Sequence, residues 1–179
     1  DEPKAAAALW PGEKSIQHGA RLLQGLYWGL MLIYKPVGGE VFMATRWLFK
    51  TEPSVYSYQH LVKDKSTKWD NVANNLALKH LKDKKKGDLV FIYHTGDERQ
   101  AVGIARALGG AYSDPEKDNP RMLVVDIEAV KALAKPVTLA QVKADKKLAN
   151  FDLVRNSRLS IMKLTEEQWD AMMEMSKGK

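Results

Sequence analysis

The stretch WLFKTEP, residues 47–53, decides the fold of this chain. Its first four residues, Trp47 to Lys50, form a short and mostly apolar run, which predicts a buried strand. The run then meets a threonine, a glutamate and a proline, and proline cannot donate to a ladder of strand hydrogen bonds. We therefore predict a strand whose end carries polar groups. These groups belong either to an ordinary strand end or to the rim of a pocket.

The composition limits the classes of protein to which this chain can belong. Its 179 residues suffice for one domain, and 45% hydrophobic with 28% charged residues is typical of a globular protein. The absence of cysteine excludes disulfides, cysteine-ligated zinc and a thiol nucleophile. The four histidines show no metal-ligand spacing, and neither a phosphate-binding glycine loop nor a Gly-x-Ser-x-Gly elbow occurs. We therefore predict no metal, no cofactor and no catalytic residue.

The excess of positive charge belongs to the second part of the chain. The net charge is +6; residues 1–42 hold four basic and four acidic residues, so the remaining 24 basic minus 18 acidic residues give the whole excess. Such an excess predicts a polyanionic partner such as nucleic acid, although modest positive charge also occurs in proteins without one. The run Lys84, Lys85 and Lys86 is either a patch that contacts the nucleic-acid backbone or a solvated helix end.

Residues 1–42 differ from the rest of the chain. Their apolar segment 22–34 is interrupted by two glycines and a glutamine, and it is shorter than the ~20 residues of a membrane span. We therefore predict no membrane partner, and the segment does not have the pattern of a signal peptide. Met43-Ala44-Thr45 resembles an ordinary protein start. We predict that residues 1–42 are an N-terminal extension and that residues 43–179 form the domain.

Hydrophobic periodicity after residue 43 predicts short strands interrupted by helices. The predicted strands are 47–50, 89–95, 101–108, 122–130 and 158–164. The predicted helices are 57–64, 74–87, 138–145 and 165–175, with N-caps at Ser57, Thr138 and Thr165. Because strands and helices do not alternate regularly, a doubly wound sheet is disfavoured. We predict an α+β fold, a mixed β-barrel of about five to six strands or a strongly bent sheet, with short helices packed outside.

Four strand or loop ends in this pattern carry aromatic and polar groups together. They are 50–53, 68–75, 93–97 and 111–115. In the second of these, Trp69 lies outside any apolar period, so we predict it in a polar loop. If the four ends converge, they form a cavity that can hold an extruded base by stacking on its faces and hydrogen bonding to its edge. Each segment alone fits ordinary packing equally well.

Ordered blocks of the sequence resemble a known family. WLFKTEPSVYSYQHL is followed by WDNVANNLALKHLKDKKKGDLVFIYHTGDERQAVGIARA, by YSDP, DNPR and PVTLAQVKA, and by RLSIMKLTEEQW. These blocks cover nearly all of residues 46–170. They are similar to the EVE domain of the PUA-like superfamily, which is related in fold to the YTH readers of methylated adenine. The resemblance implies a PUA-like β-barrel whose pocket captures a modified nucleobase, with cytosine modified at position 5 as the leading candidate.

The resemblance, together with the four segments, also implies the residues of the base-binding pocket. They are Lys50, Thr51, Glu52, Trp69, Asp70, Val72, Asn74, Tyr93, His94, Thr95, Tyr112, Asp114, Arg158 and Ser160. In this set, Trp69 would be the main stacking wall. Two positions depart from the family pattern Trp-x-Gly-Val-Arg-Asn, since Asn71 replaces the glycine and Ala73 the arginine. Asparagine tolerates a left-handed backbone, whereas the missing arginine removes a contact to phosphate or base.

We therefore predict a non-catalytic reader of a modified base in DNA or RNA. We expect it to be a monomer and to be cytoplasmic, or nuclear if the source is a eukaryote. Two alternatives stay open. The first is a hydrolase acting on a modified nucleoside, with an acid–base set drawn from Lys50, Glu52, His94 and Asp114. The second is a general RNA-binding module, whose affinity would depend steeply on salt.

Overall fold

The computed structural model describes residues 44–178, and the predicted N-terminal extension 1–42 lies outside the described residues. In chain order the strands are β1 (Arg46–Thr51), β2 (Ser66–Trp69), β3 (Leu89–His94), β4 (Gln100–Ala107), β5 (Tyr112–Ser113), β6 (Leu123–Thr138) and β7 (Ile161–Leu164). The helices are α1 (Tyr58–Asp64), α2 (Asn75–Lys82), α3 (Leu139–Ala144), α4 (Asp152–Arg155) and α5 (Glu166–Lys177), with a 3-10 helix at Lys146–Leu148.

Strand β1 lies inside the sheet, parallel to β3 on one side and antiparallel to β7 on the other. Its residues Trp47, Leu48 and Phe49 are all buried, although successive side chains of a strand point to opposite faces. Both faces of β1 are therefore covered, which explains the continuous apolar run. Lys50 and Thr51 at its end are half-buried, so the strand leads from the core to the surface.

The mixed α+β fold is confirmed, but the sheet does not close into a barrel. The strand order is β2-β6-β4-β3-β1-β7, and β5 pairs with β6 beside this path. The outer strands β2 and β7 have four residues each and are not paired with each other within residues 44–178. Helix α2 contacts both β6 and β7. Helix packing, rather than strand hydrogen bonds, therefore connects the two ends of the sheet.

Strand β6 is 16 residues long and bends the sheet. It pairs with β5 and β2 through its first residues and with β4 from Ile127 onward. Its register against β4 shifts twice, next to Gly103 and next to Ile104, and such irregularities increase the local twist. The predicted strand ended at Val130, which is wrong because β6 continues to Thr138. The second half of β6 is mostly exposed. Its lysines interrupt the apolar alternation by which a strand is predicted.

Three helices begin at the cap residues that the sequence predicts. The side chain of Ser57 caps α1, and Thr138 and Thr165 cap α3 and α5 in complete capping boxes. A cap of this kind stabilises a helix by about 1 kcal/mol. Helix α5 covers the sheet with Trp169, whose ring centroid lies 4.0 Å from that of Phe91 in β3. Between residues 44 and 178, no helix is long and apolar enough to cross a membrane.

The packing of Gly103 against Tyr58 gives a test of the fold. A Cβ atom at Gly103 would overlap the Tyr58 ring, whose hydroxyl donates to the carbonyl of Ile104 at 3.0 Å. We expect Gly103→Ala to displace the ring and to lower the free energy of unfolding by about 1–3 kcal/mol, measured by denaturant titration. Gly109→Ala is the control, because a Cβ at Gly109 meets nothing within 4 Å. Equal effects of the two substitutions would contradict this packing.

Candidate nucleic-acid interface

The ends of β1 and β3 lie side by side because the two strands are parallel. Their register pairs Thr51 with His94. Just beyond the strands, the backbone N–H of Thr95 donates to the carbonyl of Thr51 at 2.8 Å, and its hydroxyl donates to Oε2 of Glu52 at 2.8 Å. The structure thus brings together the polar residues of two of the four predicted segments.

Lys50 joins a third piece of chain to this group. It is paired with Tyr93, its Nζ donates to the carbonyl of Ser157 at 2.6 Å, and its backbone N–H donates to the carbonyl of Ser160 at 2.9 Å. Partial burial lowers the pKa of Lys50. Residues 157–160 therefore form a turn over the end of β1, which is why β7 begins later than the predicted position 158. Arg158 of this turn is exposed and forms no ion pair with the described residues.

His94 is buried, and both nitrogens of its ring are bound within the protein. Its Nε2 accepts from the backbone N–H of Tyr58 at 2.9 Å, so the proton lies on Nδ1, which donates to Oε2 of Glu98 at 2.7 Å. This hydrogen bond lowers the pKa of Glu98. His94 therefore fastens the start of α1 to the β3–β4 turn, and its ring nitrogens are not free to contact a base. The sequence did not predict a role for Glu98, because its contact with His94 depends on the fold of the β3–β4 turn.

Trp69 lies at the end of β2 and not in a polar loop, so this prediction is wrong. Trp69 is paired with Val125 of β6 and is only 8% exposed. The centroid of its ring lies 5.3 Å from that of the Phe49 ring. The hydrogen bonds to β6 turn the ring inward. A strand of only four residues, three of them polar, gives no periodic signal in the sequence. Trp69 nevertheless lies beside the strand that leads to Lys50.

The loop that follows Trp69 is held at several points. Asn71 has a left-handed backbone, with φ 56°, as its replacement of glycine in the family pattern predicted, and its amide donates to Oδ1 of Asp70 at 2.7 Å. Val72 is buried. Asn74 is the N-cap of α2, where its Oδ1 accepts from the backbone N–H groups of the next turn at 2.9 and 3.1 Å. The residues predicted from this loop thus combine local structural roles with proximity to Trp69.

Tyr112 and Asp114 belong to a separate cluster. Tyr112 lies in β5 and donates from its hydroxyl to Oδ1 of Asp126 at 3.0 Å. Asp114 is buried and is bound by Nζ of Lys68 at 3.1 Å. Burial raises the pKa of Asp114, but the backbone N–H of Glu116 and the Lys68 ammonium outweigh it, so the pKa is lowered. Lys68 belongs to the predicted segment 68–75, so this cluster joins two of the four segments, while no hydrogen bond or ion pair within residues 44–178 joins it to Lys50 or Glu52.

Lys84 is buried. The prediction that it contacts the nucleic-acid backbone from the surface is therefore wrong. Helix α2 ends at Lys82 instead of Gly87, and the chain then turns so that Nζ of Lys84 lies 2.7 Å from the centroid of the Trp47 ring. Burial lowers the pKa of Lys84 to about 6, against the opposing effects of Asp88 and Asp83. Lys85 and Lys86 are exposed. The charge run is therefore divided between the core and the surface.

Two open depressions of the described surface lie away from the predicted pocket residues. One depression, of about 320 Å³, lies between the β3–β4 turn and α3, and another, of about 580 Å³, lies between α3 and α5. Neither is lined by a predicted pocket residue. In the part of the chain that the structure describes, no group of three or more His, Asp or Glu side chains is placed to hold a metal ion.

A family model described as EVE domain matches residues 45–175. The chain belongs to the EVE domain family. Thymocyte nuclear protein 1 of Gallus gallus is 28% identical, over 79% of this chain and 74% of that protein. The NMR structure of a Rhodopseudomonas palustris protein is 38% identical with a TM-score of 0.72, over 75% of this chain and 94% of that one. Human THYN1, in complex with DNA containing 5-methylcytosine, is 27% identical with a TM-score of 0.69, over 76% of this chain and 99% of that one.

The buried Lys84 of this EVE domain makes stability depend on pH. The folded pKa is about 6 against an ordinary value of 10.5, so between these values the unfolded chain binds more protons than the native state. Stability then rises with pH by up to about 1.4 kcal/mol per unit within this window and is constant below it. We expect Lys84→Met to remove the slope and to be more stable than the wild type at pH 7, measured by urea titration from pH 6 to 9.

The exposed Lys86 supplies the control for Lys84, because Lys86→Met should leave the slope unchanged. The aromatic faces of Trp47 and Phe49 attract a cation, and this attraction opposes the effect of burial. A wild type whose stability does not change across the window would mean that the ammonium stays charged over the Trp47 ring.

Proposed function

We propose that this EVE domain is a non-catalytic reader that captures a 5-methylated cytosine of DNA. The observation that carries the proposal is the relative human THYN1, whose structure is a complex with DNA containing 5-methylcytosine and which aligns over 99% of its chain. The excess of basic residues supports a polyanionic partner. Lys50, Glu52 and Tyr93 lie at or just beyond the ends of β1 and β3, and we call these three residues the rim. They supply the groups that would bind the edge of the base.

The base enters next to the Trp69–Phe49 pair, at the point where β1 leaves the core. Thr51 lies two residues after Phe49 and therefore on the same face of β1, so a base stacked on Trp69 has its edge near the polar end of this strand. The neighbouring residues 70–74 form a loop that can move to admit the base, because Asn71, Ala73 and Asn74 are exposed and only Val72 is buried. Movement of this loop uncovers the Trp69 ring while the strands stay in place.

The free energies of stacking and of opening are of the same size. Stacking of one base on an aromatic ring contributes about 1–3 kcal/mol. Uncovering a buried valine such as Val72 costs about 1.5–3 kcal/mol. Because these values nearly cancel, the net affinity depends on hydrogen bonds to the base edge and on contacts to the rest of the DNA.

Three rim groups are suited to the edge of cytosine. The ammonium of Lys50 donates to Ser157 and has further hydrogens for the acceptors of the ring. Glu52 receives the Thr95 hydroxyl at Oε2, and its other oxygen can accept from the cytosine amino group. The Tyr93 hydroxyl has no hydrogen-bond partner among the described residues, and burial raises its pKa, so it stays a neutral donor.

The arrangement of these groups favours binding over hydrolysis. An acid–base pair must reach one substrate at hydrogen-bond distance. His94 is bound at both ring nitrogens, and Asp114 is held by Lys68 in a different cluster. The remaining candidates, Lys50 and Glu52, both lie at the rim and suit the recognition of polar edges.

Binding of matched nucleic acids tests the proposal. We expect DNA with one 5-methylcytosine to bind more tightly than unmodified DNA by about fourfold or more, because burying one extra methyl contributes ~0.8 kcal/mol. Fluorescence anisotropy with the two DNA duplexes and an RNA of the same sequence measures this difference. Equal affinity for both duplexes would contradict a methylcytosine reader, and tighter binding of the RNA would favour the general RNA-binding module. Release of a base or nucleoside product would show an enzyme.

Trp69 should carry the stacking contribution. We expect Trp69→Ala to weaken binding of the methylated duplex by about tenfold or more, since about 1.4 kcal/mol corresponds to one decade in affinity. Trp69→Phe keeps an aromatic ring in the core and should lose less affinity. Trp169→Ala is the control, because Trp169 packs on Phe91; it should lower stability and leave the affinity of the folded fraction unchanged. A folded Trp69→Ala variant with wild-type affinity would exclude the stacking role.

A further inference from the structure

Helix α2 presents two basic side chains on its solvent face. Lys79 and Lys82 are both exposed, and residues three apart lie on the same side of a helix. The buried face of α2 is formed by Ala77 and Leu81, so the two lysines point away from the sheet. Neither forms an ion pair with another described residue.

Strand β7 adds Lys163 to the same side of the domain. Lys163 is exposed and is paired with Trp47, and directly paired residues of neighbouring strands have their side chains on the same face of the sheet. The Trp47 ring is covered by Lys84 and lies 6.0 Å from the ring of His80 in α2. Lys163 therefore stands on the face that α2 covers. Its charge is near enough to lower the pKa of Lys84.

A hydrogen bond holds the helix and the strand together. Nδ1 of His80 lies 2.8 Å from the carbonyl oxygen of Ile161, the first residue of β7. The three lysines are thus carried by two packed elements and not by a mobile tail. We call this surface, defined by Lys79, Lys82 and Lys163, the α2–β7 face. Asp83 is exposed beside it and forms no ion pair with these lysines within the described residues.

The α2–β7 face borders the candidate site at both ends. At one end, Ile161 follows Ser160, whose carbonyl accepts from the backbone N–H of Lys50 on the rim. At the other end, α2 is capped by Asn74, the last residue of the loop after Trp69. A nucleic-acid strand with one base at Trp69 therefore has its neighbouring phosphates within reach of this face.

We propose that the α2–β7 face binds the phosphate backbone of the DNA strand whose base is read. The inference rests on the proposed function and assigns the sequence-independent part of the affinity to residues outside the predicted run Lys84–Lys86. Lysine binds phosphate as a point charge, so the face attracts any DNA and does not distinguish methylated from unmethylated cytosine. Selectivity stays with the rim and Trp69.

A second group of three exposed lysines provides a matched control. Lys143, Lys146 and Lys147 lie on α3 and the following 3-10 helix. These elements contact β6, α4 and α5, whereas the lysines of the α2–β7 face are carried by α2 and β7. Removing these three charges changes the net charge by the same amount as removing those of the α2–β7 face.

The test compares two triple variants, Lys79→Ala/Lys82→Ala/Lys163→Ala and Lys143→Ala/Lys146→Ala/Lys147→Ala. Affinity for methylated and unmethylated duplexes is measured by anisotropy across a range of salt concentrations. Each lost phosphate contact lowers the slope of log K against log salt by about 0.9. We expect the α2–β7 variant to lose about 2–3 from the slope, to bind both duplexes more weakly by the same factor, and to keep the wild-type unfolding midpoint. The control variant should keep the wild-type slope.

The outcomes separate this inference from the proposed function. An unchanged slope in the α2–β7 variant, or an equal loss in the control variant, overturns the assignment of the face, even where the preference for methylcytosine persists. A loss of slope confined to the α2–β7 variant, in a protein without preference for methylcytosine, supports the face and refutes the reader. If the alanine variant unfolds, the glutamine variant at the same three positions is measured against the same two criteria.

Discussion

The parallel pairing of β1 with β3 is the contact on which the candidate site depends. It holds six residue pairs in register, from Arg46–Leu89 to Thr51–His94, and it delivers both strand ends to one edge of the sheet. A slip by one residue would turn every side chain to the opposite face. Such a slip would take Phe49 away from the Trp69 ring and Trp47 away from Lys84 and Asp88, so the packing of the core disfavours it. The positions of the polar groups at the rim are therefore determined by apolar packing.

Features that depend on neighbouring residues were predictable from the sequence. The apolar runs of β3 and β4 and the capping residues Ser57, Thr138 and Thr165 gave the right elements close to their observed bounds. These signals act over a few residues, so a single sequence contains them. The order of strands and helices also predicted the mixed α+β fold, although the sheet is open and not the barrel that the family resemblance implied.

Features that depend on distant partners were not predictable in the same way. Trp69 turns inward because β2 pairs with β6, and the partner Val125 lies far along the chain. Lys84 enters the core because the turn after α2 is held by Asp88, whose Oδ2 also accepts from the Trp47 indole at 2.9 Å and from the backbone N–H of Lys85 at 3.1 Å. A short polar strand such as β2 and a lysine buried beneath a helix end such as Lys84 have no local sequence pattern from which they could be predicted.

The double role of Asn74 has a consequence for how the domain responds to a ligand. Asn74 ends the loop after Trp69 and caps α2, and loss of such a cap costs about 1 kcal/mol. A loop movement that carries Asn74 along bears this cost, whereas one that stops at Ala73 does not. In the first case, opening of the loop and the state of the helix are thermodynamically linked, and by reciprocity a ligand that stabilises one state of the helix alters the free energy of opening. The attraction of DNA phosphates by α2 and the recognition of one base near Trp69 then depend on the same opening equilibrium of this loop.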